Sequence, residues 1–343
     1  MKLINTVDAV GHVLCHDMTR IIPGKEKGPL FRKGHVVTEE DIPLLLSIGK
    51  EHLYVWEMND NMLHEDDAAA VLGDICTGGS SSFELTGPKE GKMEIIAAVD
   101  GLLKIDRERL NAVNSMGEMM IATVHGDFPV KKGDRLAGTR IIPLVIEKDK
   151  MDKAKAIAGA KPILSLLPIR ALNYGIITTG SEVYKGLIED KFGPVLKAKM
   201  DEYHCTPTRQ IILDDDMEKI TKAVLDLSSE CDMVLVSGGM SVDPDDRTPG
   251  AIRNTGADIV TYGAPVLPGA MFLLAYLEVE GRTVPVMGLP GCVMYARRTV
   301  FDLALPRILA GERLTASDIS QLGEGGLCLN CADCHFPNCG FGK

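Results

Sequence analysis

Residues 232–246 constrain this chain most. The apolar run Met233-Val234-Leu235-Val236 ends in Ser237-Gly238-Gly239 and soon passes into Asp243, Asp245 and Asp246. A short apolar run closed by glycines reads as a buried strand that delivers bare backbone beyond its end. Without a Cβ in the way, main-chain N–H groups approach an anion closely, and nearby carboxylates hold a divalent cation that bridges to the same anion. The expected ligand is a phosphate, with Mg2+ on Asp243, Asp245 and Asp246.

Two more junctions share this form. Tyr174-Gly175-Ile176-Ile177 runs into Thr178-Thr179-Gly180-Ser181-Glu182, and Val284-Pro285-Val286-Met287 runs into Gly288-Leu289-Pro290-Gly291-Cys292. Helix-like segments follow each, and in an open α/β sheet anions collect where strands end beside helix N-termini. Taken singly, each junction has a plain structural explanation. Thr179 with Glu182 fits a capping box, and strand-to-helix turns carry Gly and Ser for geometric reasons. The acidic run beyond Ser241 repels itself unless a cation sits beside it, and three junctions in one segment describe a pocket. Asp214-Asp215-Asp216 precedes a helical pattern through Met217, Ile220, Val224 and Leu227, so Asp216 is expected to be an N-cap.

In order and strand context these blocks resemble the molybdopterin-binding domain shared by molybdopterin molybdotransferases and adenylyltransferases. The resemblance is carried by Thr178-Thr179-Gly180-Ser181-Glu182, Asp214-Asp215, Ser237-Gly238-Gly239-Met240-Ser241-Val242 and Gly288-Leu289-Pro290-Gly291. It implies an α/β/α sandwich over 174–310 that binds molybdopterin, its adenylylated form or the molybdenum cofactor. The candidate contacts are Thr178, Thr179, Gly180, Ser181, Glu182, Ser237, Gly238, Gly239, Ser241, Gly288, Leu289, Pro290 and Gly291, joined by Asp246 from the acidic run and by Cys292 as a soft ligand toward molybdenum or the dithiolene sulfur. Asp214 and Asp215 align with a family carboxylate pair and, with Asp243 and Asp245, are the candidate catalytic residues of a molybdotransferase-like transferase that inserts molybdate. The resemblance also suggests a homo-oligomer, with a molybdoenzyme as a partner.

Three departures from the family pattern stand out. Ser181 replaces a usual Asp, Cys292-Val293 replaces Asn-Pro, and Pro268-Gly269-Ala270-Met271 lacks the Lys of a Pro-Gly-Lys-Pro block. The missing Asp at Ser181 and the missing Lys at Ala270 favour an alternative: a non-catalytic carrier or sensor of the cofactor, with a redox or metal tail. The intact acidic run favours the enzyme.

Outside this domain, 1–57 reads as a small α+β module. It has expected strands at Phe31–Val37 and His52–Trp56, and a helix that starts within Thr38–Asp41 and stops at Gly49. This part also resembles a small module of molybdotransferase-related proteins. A joint is expected at 57–67 and a β-rich accessory domain at 68–150, with strands at Met93–Val99, Met119–Thr123 and Arg140–Ile146 and a loop at Cys76–Ser82. The Ser-x-Met-Asp-Gly-type loop of a working molybdotransferase has only Asn114-Ser115-Met116-Gly117-Glu118 as its nearest counterpart.

The second strong motif is Cys328-x2-Cys331-x2-Cys334-x4-Cys339 in the tail 323–343, which Gly323–Gly326 is expected to set apart from the domain. Short gaps let a chain curl around one metal. The spacing approaches ferredoxin-type ligation but has a longer last gap and no proline after Cys339. An iron–sulfur cluster, tetrahedral Zn2+ and an unmetallated redox tail remain open, in that order. Cys292, at a predicted helix N-terminus, is expected to have its thiol pKa lowered by the dipole.

Composition excludes several classes. Hydrophobic residues at 45% and charged residues at 25% are globular values. A net charge of -11 argues against a nucleic-acid or anionic membrane surface, and 5% aromatics leaves few platforms for base stacking. The longest uncharged stretch, Ala264 to Leu277, holds Pro265 and Pro268 and is too short to span a bilayer. Asp8 interrupts the first apolar residues before a signal-peptide core forms, so a cytoplasmic protein with reduced thiols is expected.

Overall fold

The computed structural model describes residues 2–22, 26–55 and 61–343. Trp56 and the first part of the expected joint, 57–60, lie outside the described residues. The chain divides into two compact units, Met1–Val99 with Ile105–Val124 and Lys131–Ser165, and Asp100–Lys104 with His125–Val130 and Leu166–Lys343. Among the described residues, no helix is long and apolar enough to cross a membrane.

In the first unit, strand Lys2–Asn5 pairs antiparallel with His52–Val55, and Met18–Ile22 pairs with Glu26–Phe31. The strand expected over Phe31–Val37 ends at Phe31, because Gly34 bends the chain and only Val36 regains a bridge, to Val13. Helix Asp41–Ser47 begins where Asp41 accepts hydrogen bonds from the Thr38 N–H and hydroxyl, both at 2.8 Å. Its Leu45 packs with Ala9, Leu14, Met18, Phe31, Val37 and Leu53.

Further along, Phe83–Leu85, Lys92–Ala97, Arg135–Ile141 and Met119–Thr123 form an antiparallel sheet in that spatial order. The strand expected at Arg140–Ile146 is split, since its residues belong to the end of Arg135–Ile141 and the start of Val145–Glu147. Helix Glu65–Thr77 runs from the end of the expected joint through the start of the expected β-rich domain to the first residues of the expected loop. Gly73 lies inside this helix because Leu85 and Met93 pack where its Cβ would be.

The second unit contains a six-stranded mixed sheet: β1 (Asn173–Thr179), β2 (Thr206–Leu213), β3 (Met233–Ser237), β4 (Asp258–Tyr262), β5 (Leu273–Val279) and β6 (Arg282–Leu289). The spatial order is β2-β1-β3-β6-β5-β4. The first four are parallel, and β5 pairs antiparallel with both β6 and β4. Main helices are α1 (Phe192–Asp201), α2 (Met217–Glu230), α3 (Thr248–Asn254) and α4 (Val300–Leu309).

Side chains alternate across the strands and fill two separate cores. Tyr174, Ile176, Met233, Leu235, Met287 and Leu289 pack with α1 and α4 on one face, while Ile177, Val234, Val236, Val284 and Val286 pack with α2 and α3 on the other. Strands apolar on both faces are what a sheet covered on both sides requires. This is the α/β/α sandwich that the sequence implied, with Asp216 capping α2 through Glu218 and Lys219 N–H at 3.0 Å each.

The first core also takes in the end of the chain. Phe341 is 4% exposed within it and Phe336 packs against it, with ring centroids 5.7 Å from Phe128 to Phe336 and 6.2 Å from Phe336 to Phe341. The tail expected to stand apart is therefore built onto the domain. Phe341→Ala should cost about 3 kcal/mol through loss of buried contact and the cavity it leaves. Chemical denaturation should show it, and a chain ending at Leu322 should lose at least as much.

Asp318 fixes the following helix, Ala316–Ser320, through a capping box with Thr315, and accepts from Arg307 at 2.8 Å. Burial alone would raise its pKa, but hydrogen bonds from Thr315 and Arg307 outweigh this and hold it at about 2. Its contribution is present above its ordinary value of 3.8 and is lost as the pH falls through about 2. Asp318→Asn should therefore lower the melting temperature at neutral pH, and the gap from the unaltered protein should close at the acid end.

Candidate functional site

Strand register assembles the site. Thr178 on β1 lies opposite Ser237 on β3, which lies opposite Leu289 on β6, while Thr179 lies opposite Leu213 on β2. The ends of four parallel strands thus form one row, and all four sequence blocks begin there. From β1 the chain moves outward to β2 and then returns past β1 to β3, so the strand order reverses between β1 and β3. Such a reversal opens a crevice at the carboxyl ends of the strands.

Gly238 fills this crevice edge with backbone alone. It has φ +90°, and an added Cβ would overlap the Thr179 carbonyl oxygen. Thr248, buried at the start of α3, donates from Oγ1 to the Gly238 carbonyl at 2.8 Å and approaches Thr179 Oγ1 at 3.3 Å. The Tyr262 hydroxyl donates to the Met240 carbonyl at 2.9 Å. Burial, then the nearby Asp246 charge, raises the Tyr262 pKa and keeps it a neutral donor. On the far side of β1, Gln210 Nε2 donates to Thr178 Oγ1 at 3.0 Å and Asp190 at 2.5 Å. Thr248, Tyr262 and Gln210 escaped the sequence reading. Thr248-Pro249 carried a usable signal, since Pro in the first helical turn marks a helix start.

The carboxylates divide by task. Asp215 accepts from Ser181 N–H at 2.9 Å and Ser181 Oγ at 3.0 Å, so Ser181 is held as a donor to Asp215. Asp214 pairs with Lys219 at 2.8 Å. Asp246 accepts from the Ser241 N–H at 2.9 Å and turns back into its own loop. Asp243 and Asp245 are exposed, and among the described residues neither carboxylate has a hydrogen-bond or ion-pair partner. Ser181, Asp214, Asp215, Lys222, Arg247 and Asn254 line an open groove of about 960 Å3 beside the crevice.

Several expectations change. Asp243, Asp245 and Asp246 do not form a ready-made cation cage, nor do Cys328, Cys331, Cys334 and Cys339: among the described residues no three His, Cys, Asp or Glu side chains gather as a metal-holding group. The carboxylates stand apart because Asp246 serves the loop backbone while the other two face outward. Thr179 and Glu182 do not form a capping box, since Gly180 is the N-cap of the short helix Ser181–Tyr184 and makes no side-chain cap bond. Glu182 is exposed. Cys292 lies in a 3-10 turn, Gly291–Met294, well before α4, and burial pushes its thiol pKa up. With no helix dipole at that point, desolvation decides.

Arg298 is engaged by two carboxylates. It pairs with Glu202 at 2.9 Å and Asp302 at 3.0 Å. Asp302 is itself buried and takes two hydrogen bonds from Lys199 Nζ, at 2.7 and 2.9 Å, while the same ammonium donates to the Arg297 carbonyl at 2.9 Å. These bonds fasten the segment that leads from Gly288-Leu289-Pro290-Gly291 into α4.

A family described as a probable molybdopterin binding domain matches residues 175–310. These residues belong to that family. A second family, a domain of unknown function, DUF8806, matches residues 3–57. The chain is similar to a molybdopterin molybdenumtransferase of Haemophilus influenzae, 28% identical over 199 residues, covering 54% of this chain and 45% of the relative. It is also similar to one of Staphylococcus epidermidis, 22% identical over 287 residues, covering 80% of this chain and 64% of the relative. The chain thus spans about half to two thirds of the length of these curated relatives. Among solved structures, the tungsten cofactor synthesizing protein MoaB of Pyrococcus furiosus matches with a TM-score of 0.35 and 19% identity, covering 43% of this chain and 99% of that one.

The glycines of the molybdopterin-binding domain are unequal. Gly291 has open space where a Cβ would go, whereas Gly238 meets backbone at a φ that L-residues rarely adopt. Gly238→Ala should therefore destabilise the domain by about 1–3 kcal/mol, and Gly291→Ala should stay within about 0.5 kcal/mol of the unaltered protein. Thermal melts of the two variants check this contrast.

Proposed function

We propose that this protein binds molybdopterin or its adenylylated form at the carboxyl ends of β1, β3 and β6, and acts in molybdenum cofactor biosynthesis. The observation that carries the reading is the register that sets Thr178, Ser237 and Leu289 in one row, with glycine backbone beyond them. Backbone N–H groups of Gly238 and Gly239 would receive the phosphate, and Thr179, Gly180, Ser181, Ser241 and Gly288–Gly291 would surround the pterin. Asp243 and Asp245, exposed and unpartnered, suit Mg2+, which is characteristically held by one or two carboxylates and completed by ligand phosphates. When bound, the cation would supply positive charge to the phosphate.

The finer reading is a transferase that inserts molybdate as AMP leaves the adenylylated pterin. Here Asp243 and Asp245 hold the cation, and Asp215 orients the Ser181 turn at the ligand's edge. Assembly as a homo-oligomer and delivery to a molybdoenzyme belong to the same reading. A carrier or sensor is the second reading. It is favoured by Asp215 being taken up by the Ser181 N–H and hydroxyl, and by Ala270 standing where the family pattern has Lys.

Calorimetric titration with molybdopterin, and with its AMP adduct, tests the shared step. Binding should tighten when Mg2+ is present, and Asp243→Asn with Asp245→Asn should remove that gain while leaving most metal-free affinity. Gly291→Val should weaken binding without loss of fold. Absence of binding to either pterin would reject both readings, whereas binding without AMP release in the presence of molybdate would select the carrier.

A further inference from the structure

The cysteine-bearing tail is a loop fastened at both ends. At its start Leu327 forms a parallel bridge with Leu267, the Leu267 N–H donates to the Gly326 carbonyl at 2.8 Å, and the Cys328 N–H donates to the Leu267 carbonyl at 2.8 Å. At its end the Gly342 N–H donates to the Gly325 carbonyl at 2.9 Å, beside the buried Phe341. Gly325 has φ +78°, and the Lys343 carbonyl oxygen occupies the place of its Cβ, so this closure requires glycine.

The cysteines are distributed over that loop in a regular way. Cys328 and Cys339 stand on its two arms, half-buried against the domain core, and Cys331 and Cys334 are exposed on the span between them. All four line one cavity of about 860 Å3, together with Leu267, Pro268, Tyr295 and Arg297. Arg297 Nη1 donates to the Ala332 carbonyl at 2.8 Å, placing a cation against the span.

We propose that Cys328, Cys331, Cys334 and Cys339 bind one thiophilic metal centre, a zinc ion or an iron–sulfur cluster, over this cavity. Thiolates select such metals, and a centre ligated by four of them carries negative charge, which Arg297 offsets. The four sulfurs are not gathered beforehand. The centre forms as the exposed Cys331 and Cys334 are drawn toward the two core-packed thiols, while the backbone fastenings stay in place. Each thiol gives up its proton on ligation, so metal affinity falls with falling pH.

The test uses the full chain, purified anaerobically and loaded separately with Zn2+ alone, Co2+ alone, or iron with sulfide. One centre per chain is expected, with thiolate-to-metal charge-transfer absorption in the Co2+ form. Cys331→Ser with Cys334→Ser should abolish the bound metal, and Cys231→Ser should retain it. Zinc and cobalt uptake without stable iron and acid-labile sulfide identifies a single ion; retained iron with sulfide identifies a cluster. Circular dichroism checks that the double variant folds, and if it melts early Cys334→Ser alone supplies the same readout. Failure to retain any of the three loads overturns the proposal, as does full retention by the serine variants. Metal content is read without any pterin, so a negative result leaves the pterin site to its own test.

Discussion

The contact between the Gly238 backbone and the Thr179 carbonyl is the constraint on which the rest of the second unit depends. It sets how closely the loop after β3 passes the end of β1, and Thr248 then holds the Gly238 carbonyl from the start of α3. A side chain at 238 would push that loop away and pull α3 with it. The parallel strands keep their register through buried apolar residues on both faces, so the contact sits on a scaffold with little freedom to adjust.

Much of this was legible in the sequence, for physical reasons that differ from block to block. Apolar runs ending in Gly or Ser marked the strand ends because a strand covered on both faces has no polar alternation. Asp216 announced α2 because an N-cap needs a short acceptor side chain. Helix Glu65–Thr77 was hidden, since Gly73 and the alanines gave a weak apolar stripe, and Leu85 and Met93, which pack over Gly73, are brought near only by the fold. Tyr262 and Gln210 were silent for a similar reason: their partners lie on other strands or loops, and no spacing along the chain records the hydrogen bonds; at Thr248 the following proline marked only the helix start, not the bond to Gly238.

The carboxylates show where sequence pattern and geometry part. Three aspartates at one turn looked like a cation cage, yet Asp246 satisfies the Ser241 N–H and leaves the other two in solvent. Asp214 and Asp215 read as a pair, but one balances Lys219 and the other secures Ser181. Proximity in sequence put these charges close together, and the backbone N–H groups of Ser181 and Ser241 decided where Asp215 and Asp246 turned, while the Lys219 ammonium took Asp214. The thiol of Cys292 follows the same lesson, because the 3-10 turn that carries it ends before any helix can lend it a dipole.

The fastened ends of the tail carry a further consequence. Closing a flexible segment around a ligand costs conformational entropy that grows with the logarithm of its length. Here Phe341, the Gly325 to Gly342 bond and the Leu267 to Leu327 bridge meet that cost during folding of the domain. Cys328 and Cys339 are consequently held at a high effective concentration with respect to each other, whatever reacts with them. Exposed residues of the span other than its cysteines can change in kind at modest cost to the fold, whereas changes at Gly325 or Phe341 would set both arms loose at once.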